Sequence, residues 1–140
     1  MIATSTMART GKRAVIVGMA AAAVVGALAM PAQASSWSSS LTNAGADFES
    51  RRWTDTGGST TIKFTSCSSA GTQAVGVTLR KDVFGPDPTY AIANFTNCFN
   101  SGATSSGTWD DHGSGDYYFV VNYATSTYAT VSVKSLTVYY

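Results

Sequence analysis

Over residues 59–140 the apolar positions recur mostly at every second residue, the period of a strand with one buried face. In residues 59–67, Ile62 and Phe64 alternate with Lys63 and Thr65. Residues 73–84 give the clearest case: Val75, Val77 and Leu79 lie on one face, Gly76, Thr78, Arg80 and Asp82 on the other, and Val83 and Phe84 extend the run. Residues 89–98 place Ala91, Ala93 and Phe95 opposite Ile92, Asn94, Thr96 and Cys98. Between these two runs stands Gly85-Pro86-Asp87-Pro88. Its prolines remove backbone donors and its glycine tolerates positive φ, so a hairpin turn is predicted.

Residues 116–123 are apolar or aromatic at nearly every position, which predicts a central strand covered on both faces. In residues 128–140, Ala129, Val131 and Val133 keep one parity and Leu136, Val138 and Tyr140 the other. That slip predicts a β-bulge or bend near Lys134-Ser135. Earlier in the chain the signals are weaker. Residues 46–54 read as a faint strand with Phe48, Ser50 and Arg52 on one face, and Gly57-Gly58 as a turn. Residues 35–45 open on a Ser-rich stretch read as a flexible, frayed start onto which Trp37 docks. A short strand is expected at Thr108-Trp109, after a polar loop.

The expected fold is therefore all-β: a small antiparallel β-sandwich of about six to eight strands, Greek-key-like, over residues 46–140. A closed barrel stays open as the alternative, because periodicity does not say whether a sheet closes on itself.

The first part of the chain has a different pattern. Arg9, Lys12 and Arg13 precede an apolar run over residues 14–30 that only Gly18 and Gly26 interrupt. Pro31 ends the run, and Ala32-Gln33-Ala34 places small residues at the −3 and −1 positions of a cleavage site. Residues 1–34 thus read as a cleavable secretory signal peptide, with Met1 or Met7 as the start. The expected location is secreted and extracellular, by the general secretory route, with no stable membrane insertion after cleavage.

Setting the leader apart changes the charge. Residues 35–140 hold six basic and eight acidic side chains, a net charge of −2, with no basic run. Nucleic acid is therefore not an expected partner. All 16 aromatic residues lie in this part, and 33 of its 106 residues are Ser or Thr. Both features favour strands over helices.

Cys67 and Cys98 are the only cysteines. In an exported chain with two, a disulfide is the expected state. A thiol nucleophile needs a base, and His112 is the one histidine. A zinc site needs about four ligands, more than two Cys and one His supply.

Candidate chemistry concentrates in residues 109–116, which hold Trp109, Asp110, Asp111, His112 and Asp116 around Gly113 and Gly115. Three readings stand: a polar hairpin loop anchored by Trp109, a sugar or protein contact with Trp109 as the stacking face, or a calcium site at Asp110, Asp111 and Asp116. The acidic spacing does not match an EF-hand. No other cofactor is expected. Tyr118 joins the candidate ligand-binding residues as one of the tyrosines on the last strands, which also include Tyr117, Tyr123, Tyr128, Tyr139 and Tyr140. Arg80, Lys81 and Asp82 precede the Pro-rich turn as a candidate inhibitor-like loop.

No nucleophile elbow is present, Glu49 is the only glutamate, and enzyme activity is not expected. The leading expectation is a small secreted binding module for a glycan, a cell-wall polymer or a protein. A secreted antimicrobial or enzyme-inhibitor protein is the alternative, and a small hydrolase the second alternative.

Overall fold

A computed structural model describes residues 35–122 and 129–140. The expected signal peptide, Tyr123 and Tyr128 lie outside the described residues. Among the described residues the strands are β1 (Ser36–Ala44), β2 (Phe48–Glu49), β3 (Trp53–Asp55), β4 (Thr60–Ser68), β5 (Val75–Asp82), β6 (Thr89–Phe95), β7 (Thr104–Trp109), β8 (Gly115–Asn122) and β9 (Val131–Tyr139). A 3₁₀ turn, Asn97–Phe99, follows β6.

The strands form two antiparallel sheets, which gives a sandwich-like all-β fold. One sheet has the order β1-β9-β4-β7 and the other β2-β8-β5-β6, with β3 also pairing β8. Pairing is nested about the middle of the chain: β5 with β6, β4 with β7, β2 and β3 with β8, and β1 with β9. The innermost turn of this nest is residues 83–88.

The alternation read in β4 and β5 and the apolar run of β8 place their inward side chains in one core. Ile62 and Phe64 from β4 meet Val75, Val77 and Leu79 from β5 and Phe119 and Val121 from β8, all buried. Phe64 packs edge-on against Phe95 at 5.0 Å and against Phe119 at 5.8 Å, which joins the two sheets through aromatic contact. Gly107 on β7 has no room for a side chain. A Cβ there would stand 2.9 Å from the Ala93 Cβ and 3.0 Å from the Trp109 ring. β8 is the covered central strand its apolar run predicts, with Tyr117 through Val121 all buried.

On the outer face of the first sheet the hydroxyl residues pair across strands: Ser38 with Thr137 at 3.0 Å, Thr61 with Thr108 at 2.9 Å and Thr65 with Thr104 at 2.7 Å. The Ser/Thr content is thus a property of a solvated sheet face, where such pairs support strand register.

Several elements differ from the sequence reading. The Ser-rich start forms β1, an edge strand aligned on β9 with Ser36 opposite Tyr139 and Leu41 opposite Val133. Its backbone pairing does not depend on apolar side chains, so the composition hid it. The register of β1 and β9 shifts opposite Lys134-Ser135, where the parity slip predicts a bulge. The segment 46–54 is two strands, not one. Glu49 is opposite Val120 and Trp53 opposite Tyr117, so this side carries one residue more than β8. Ser50 fills the bulge: its Oγ accepts the Phe119 N–H at 2.9 Å and donates to the Arg51 carbonyl at 2.9 Å. β7 begins at Thr104, earlier than Thr108, because Thr104 and Ser106 are outward positions with no apolar signature.

Cys67 at the end of β4 and Cys98 in the 3₁₀ turn form the disulfide, with Cα atoms 5.1 Å apart. The bridge ties the first sheet to the segment that leaves the second. The Cys98 N–H donates to the Ser105 Oγ at 2.9 Å, which holds the turn against β7.

Candidate functional site

Registers at one end of the sandwich gather three connections. Lys81 and Asp82 at the end of β5 lie opposite Tyr117 and Asp116 at the start of β8, and Asp55 at the end of β3 lies opposite Gly115. The turn 56–59, the turn 83–88 and the loop 110–114 therefore sit together.

Loop 110–114 is held from several sides. The Asp111 Oδ1 accepts the Gly113 N–H at 2.7 Å, and its carboxylate also receives the Gly58 N–H. These two amides hold the Asp111 carboxyl below the ordinary range. Tyr117 donates its hydroxyl to the Gly113 carbonyl at 2.6 Å, and Lys81 Nζ donates to the His112 carbonyl at 2.9 Å. The His112 ring lies on the Tyr90 ring, with centroids 3.6 Å apart and planes 8° from parallel. Asp116 accepts the Thr54 hydroxyl at 2.6 Å. Asp110 is exposed.

Two of the expected ligand-binding residues have no open face. Trp109 is only 5% exposed, and its Nε1 donates to the Ala91 carbonyl at 2.6 Å. Its position is the anchoring one, since the ring lies in the core and offers no surface on which a sugar stacks. Tyr118 is 2% exposed, covered by the Arg52 guanidinium at 4.0 Å from the ring centroid. Asp110, Asp111, His112 and Asp116 remain at the surface. Among the described residues, no three His, Cys, Asp or Glu side chains come together in a way that holds a metal ion. Of the tyrosines described on the last strands, Tyr117 is buried like Tyr118, and only Tyr139 is open enough to count as exposed.

The turn 83–88 is built more tightly than its position at a hairpin tip requires. Asp87 clamps it in two directions: Oδ1 accepts the Val83 N–H at 3.0 Å and Oδ2 accepts the Tyr118 hydroxyl at 2.6 Å. The Tyr118 bond, then the Val83 amide, hold the Asp87 carboxyl below its ordinary range. Burial, then the Asp87 contact, push the Tyr118 phenol up. The Lys81 N–H closes the turn on the Pro88 carbonyl at 3.2 Å, and Gly85 takes φ +100°.

This clamp presents Val83 and Phe84. Val83 is 37% exposed and Phe84 109% exposed, so no other part of the described chain covers the Phe84 ring. Arg52 pairs with Glu49 at 2.9 Å and Asp82 at 3.1 Å, and those carboxylates raise its pKa.

The sequence reading took Val83 and Phe84 as the last residues of a strand. The available signal was two large apolar residues placed directly before a Gly-Pro-Asp-Pro turn, where no core remains for them to enter. The residues Arg80, Lys81 and Asp82 noted beside that turn serve as its base, with Lys81 and Asp82 bonded to neighbouring elements. Comparison with protein-family models, with curated proteins and with solved structures finds no match to this chain.

Proposed function

We propose that the chain is an extracellular binding module that engages a protein partner through the hairpin tip at residues 83–88, with Phe84 as its anchor. The single observation that carries this reading is the fully exposed Phe84 ring on a turn locked by Asp87 and Tyr118. A large aromatic side chain on a turn whose backbone is already ordered spares binding the cost of ordering the loop and gains the value of burial. Asp82, paired with Arg52, stands two residues before Phe84 and places charge near the anchor. A protein is favoured over a glycan because Trp109 and Tyr118 are buried. It is favoured over an anionic lipid surface because residues 35–140 carry a net charge of −2.

The secretory leader read at residues 1–34 supports the extracellular setting. The nested strand pairing supports a jelly-roll form of Greek key for the sandwich. That architecture hosts many functions and by itself argues for none. A specific version of the same reading, a secreted enzyme inhibitor, is favoured by the pre-organised loop, since rigid protruding loops fit enzyme clefts at low ordering cost.

The test compares the protein with its Phe84→Ala variant for recovery of partners from culture medium and cell envelopes, with insoluble polysaccharides and a protease panel as parallel arms. A protein retained by the parent and lost by the variant is the expected result. Affinity for the recovered partner should fall by roughly 10- to 100-fold, the value of one buried Phe side chain. Folding stability should stay within about 0.5 kcal/mol, because Phe84 touches no core. Equal retention by both proteins, or retention on polysaccharide alone, refutes the proposal.

A further inference from the structure

At one side of the sandwich, β1 is the edge of one sheet and β2 lies at the edge of the other. Between them lies a cavity of about 150 Å³, walled by Trp37 and Leu41 from β1, Phe48 from β2, Phe119 from β8 and Leu136 from β9. Its origin is legible in the register. Trp37 is aligned with Val138 and Ser39 with Leu136, and both partners belong to the core. The series Trp37, Ser39, Leu41 along β1 is thus large, small, large. The serine is too short to fill the space its neighbours leave.

Two features point to an occupant. The site is a cleft open to solvent whose walls are mainly apolar, with the exposed Ser39 and Ser40 at its mouth. The Arg51 guanidinium stands at the rim, 5.3 Å from the Trp37 ring centroid. Among the described residues it has no ion-pair partner, whereas its neighbour Arg52 holds both Glu49 and Asp82. The bulge at Ser50 is what separates the two arginines, sending Arg51 to Trp37 and Arg52 to Tyr118.

We propose that this cavity binds a small aromatic carboxylate, with the ring between Trp37, Leu41, Phe48 and Leu136 and the carboxylate on Arg51. A planar carboxylate matches the donor fork of a single guanidinium. The site is independent of the hairpin-tip interface.

Benzoate is the probe, read by tryptophan fluorescence and by methyl NMR of Leu41 and Leu136, with benzyl alcohol as the uncharged comparison. Benzoate should give a saturable change below roughly 10 mM, the weak end for so few atoms, and should shift both leucine methyls. Ser39→Leu should fill the cavity and abolish binding. Arg51→Gln, an exposed change, should weaken benzoate about tenfold, as loss of a charge partner does, and leave benzyl alcohol unchanged. No saturable change, shifts elsewhere without those methyls, or full binding by Ser39→Leu overturns the site. Equal benzoate affinity in Arg51→Gln overturns the carboxylate assignment.

Discussion

Replacing both Cys67 and Cys98 by Ala removes the one covalent tie between the two sheets, and the cost follows from the chain's geometry. The cysteines are 31 residues apart in sequence. In the chain-entropy treatment, closing a loop of that length lowers the entropy of the unfolded chain by about 12 cal/mol/K, or about 3.7 kcal/mol at 25 °C. The variant also gives up two buried sulfur atoms, Cys98 being more deeply placed than Cys67. Against the ~5–15 kcal/mol typical of a domain, the loss is a large fraction of the whole. For a domain of this size it corresponds to a fall in Tm of roughly 15–30 °C. Reversible urea unfolding of three forms measures it: the oxidised protein, the reduced protein and the double Ala variant. The reduced and Ala forms should agree to within about 1 kcal/mol, because the entropy of the open chain is common to both. If the reduced protein keeps its unfolding midpoint to within about 0.5 kcal/mol at unchanged slope, the entropic account is wrong and the sheets hold each other without the bridge.

Three further predictions concern the bulge and the titrating groups. Ser50→Ala leaves the buried Phe119 N–H without its acceptor and should cost about 1–3 kcal/mol in chemical denaturation, with Ser50→Thr recovering part of it. Asp87 titrates below its ordinary 3.8. Its contribution is therefore complete above that pH and is lost as acid carries the folded protein through the lowered value. Amide exchange at Val83 should accelerate in that acid range before global unfolding does. Burial pushes Tyr117 up from 10.0 to about 12. Its contribution is complete below pH 10 and is lost as pH rises toward 12, so alkaline unfolding and phenolate absorbance should rise together across that interval.

The features legible in the sequence were those that neighbouring residues decide. Alternation over Val75, Val77 and Leu79, the Gly-Pro-Asp-Pro turn and the continuous apolar run of β8 each report a strand or turn through residues one or two positions apart. The cysteine pair was legible by elimination, since no other ligand or base set exists for it. Exposure was not legible, because a side chain is buried by residues distant in sequence. Trp109 and Phe84 are both aromatic residues beside polar loops. Trp109 is buried with its indole N–H on the Ala91 carbonyl, and Phe84 stands free of every described neighbour. The same limit hid β1, whose place is set by β9 almost a hundred residues later. It also hid the cleft beside β1, where the short, exposed Ser39 is aligned with the core residue Leu136. The sequence by itself determined that this chain forms strands, where it turns and which sulfurs join. Which strands lie next to which, and which aromatic rings remain open to a partner, only the tertiary structure decided, because packing between the two sheets sets them and no short stretch of sequence contains both sides of that contact.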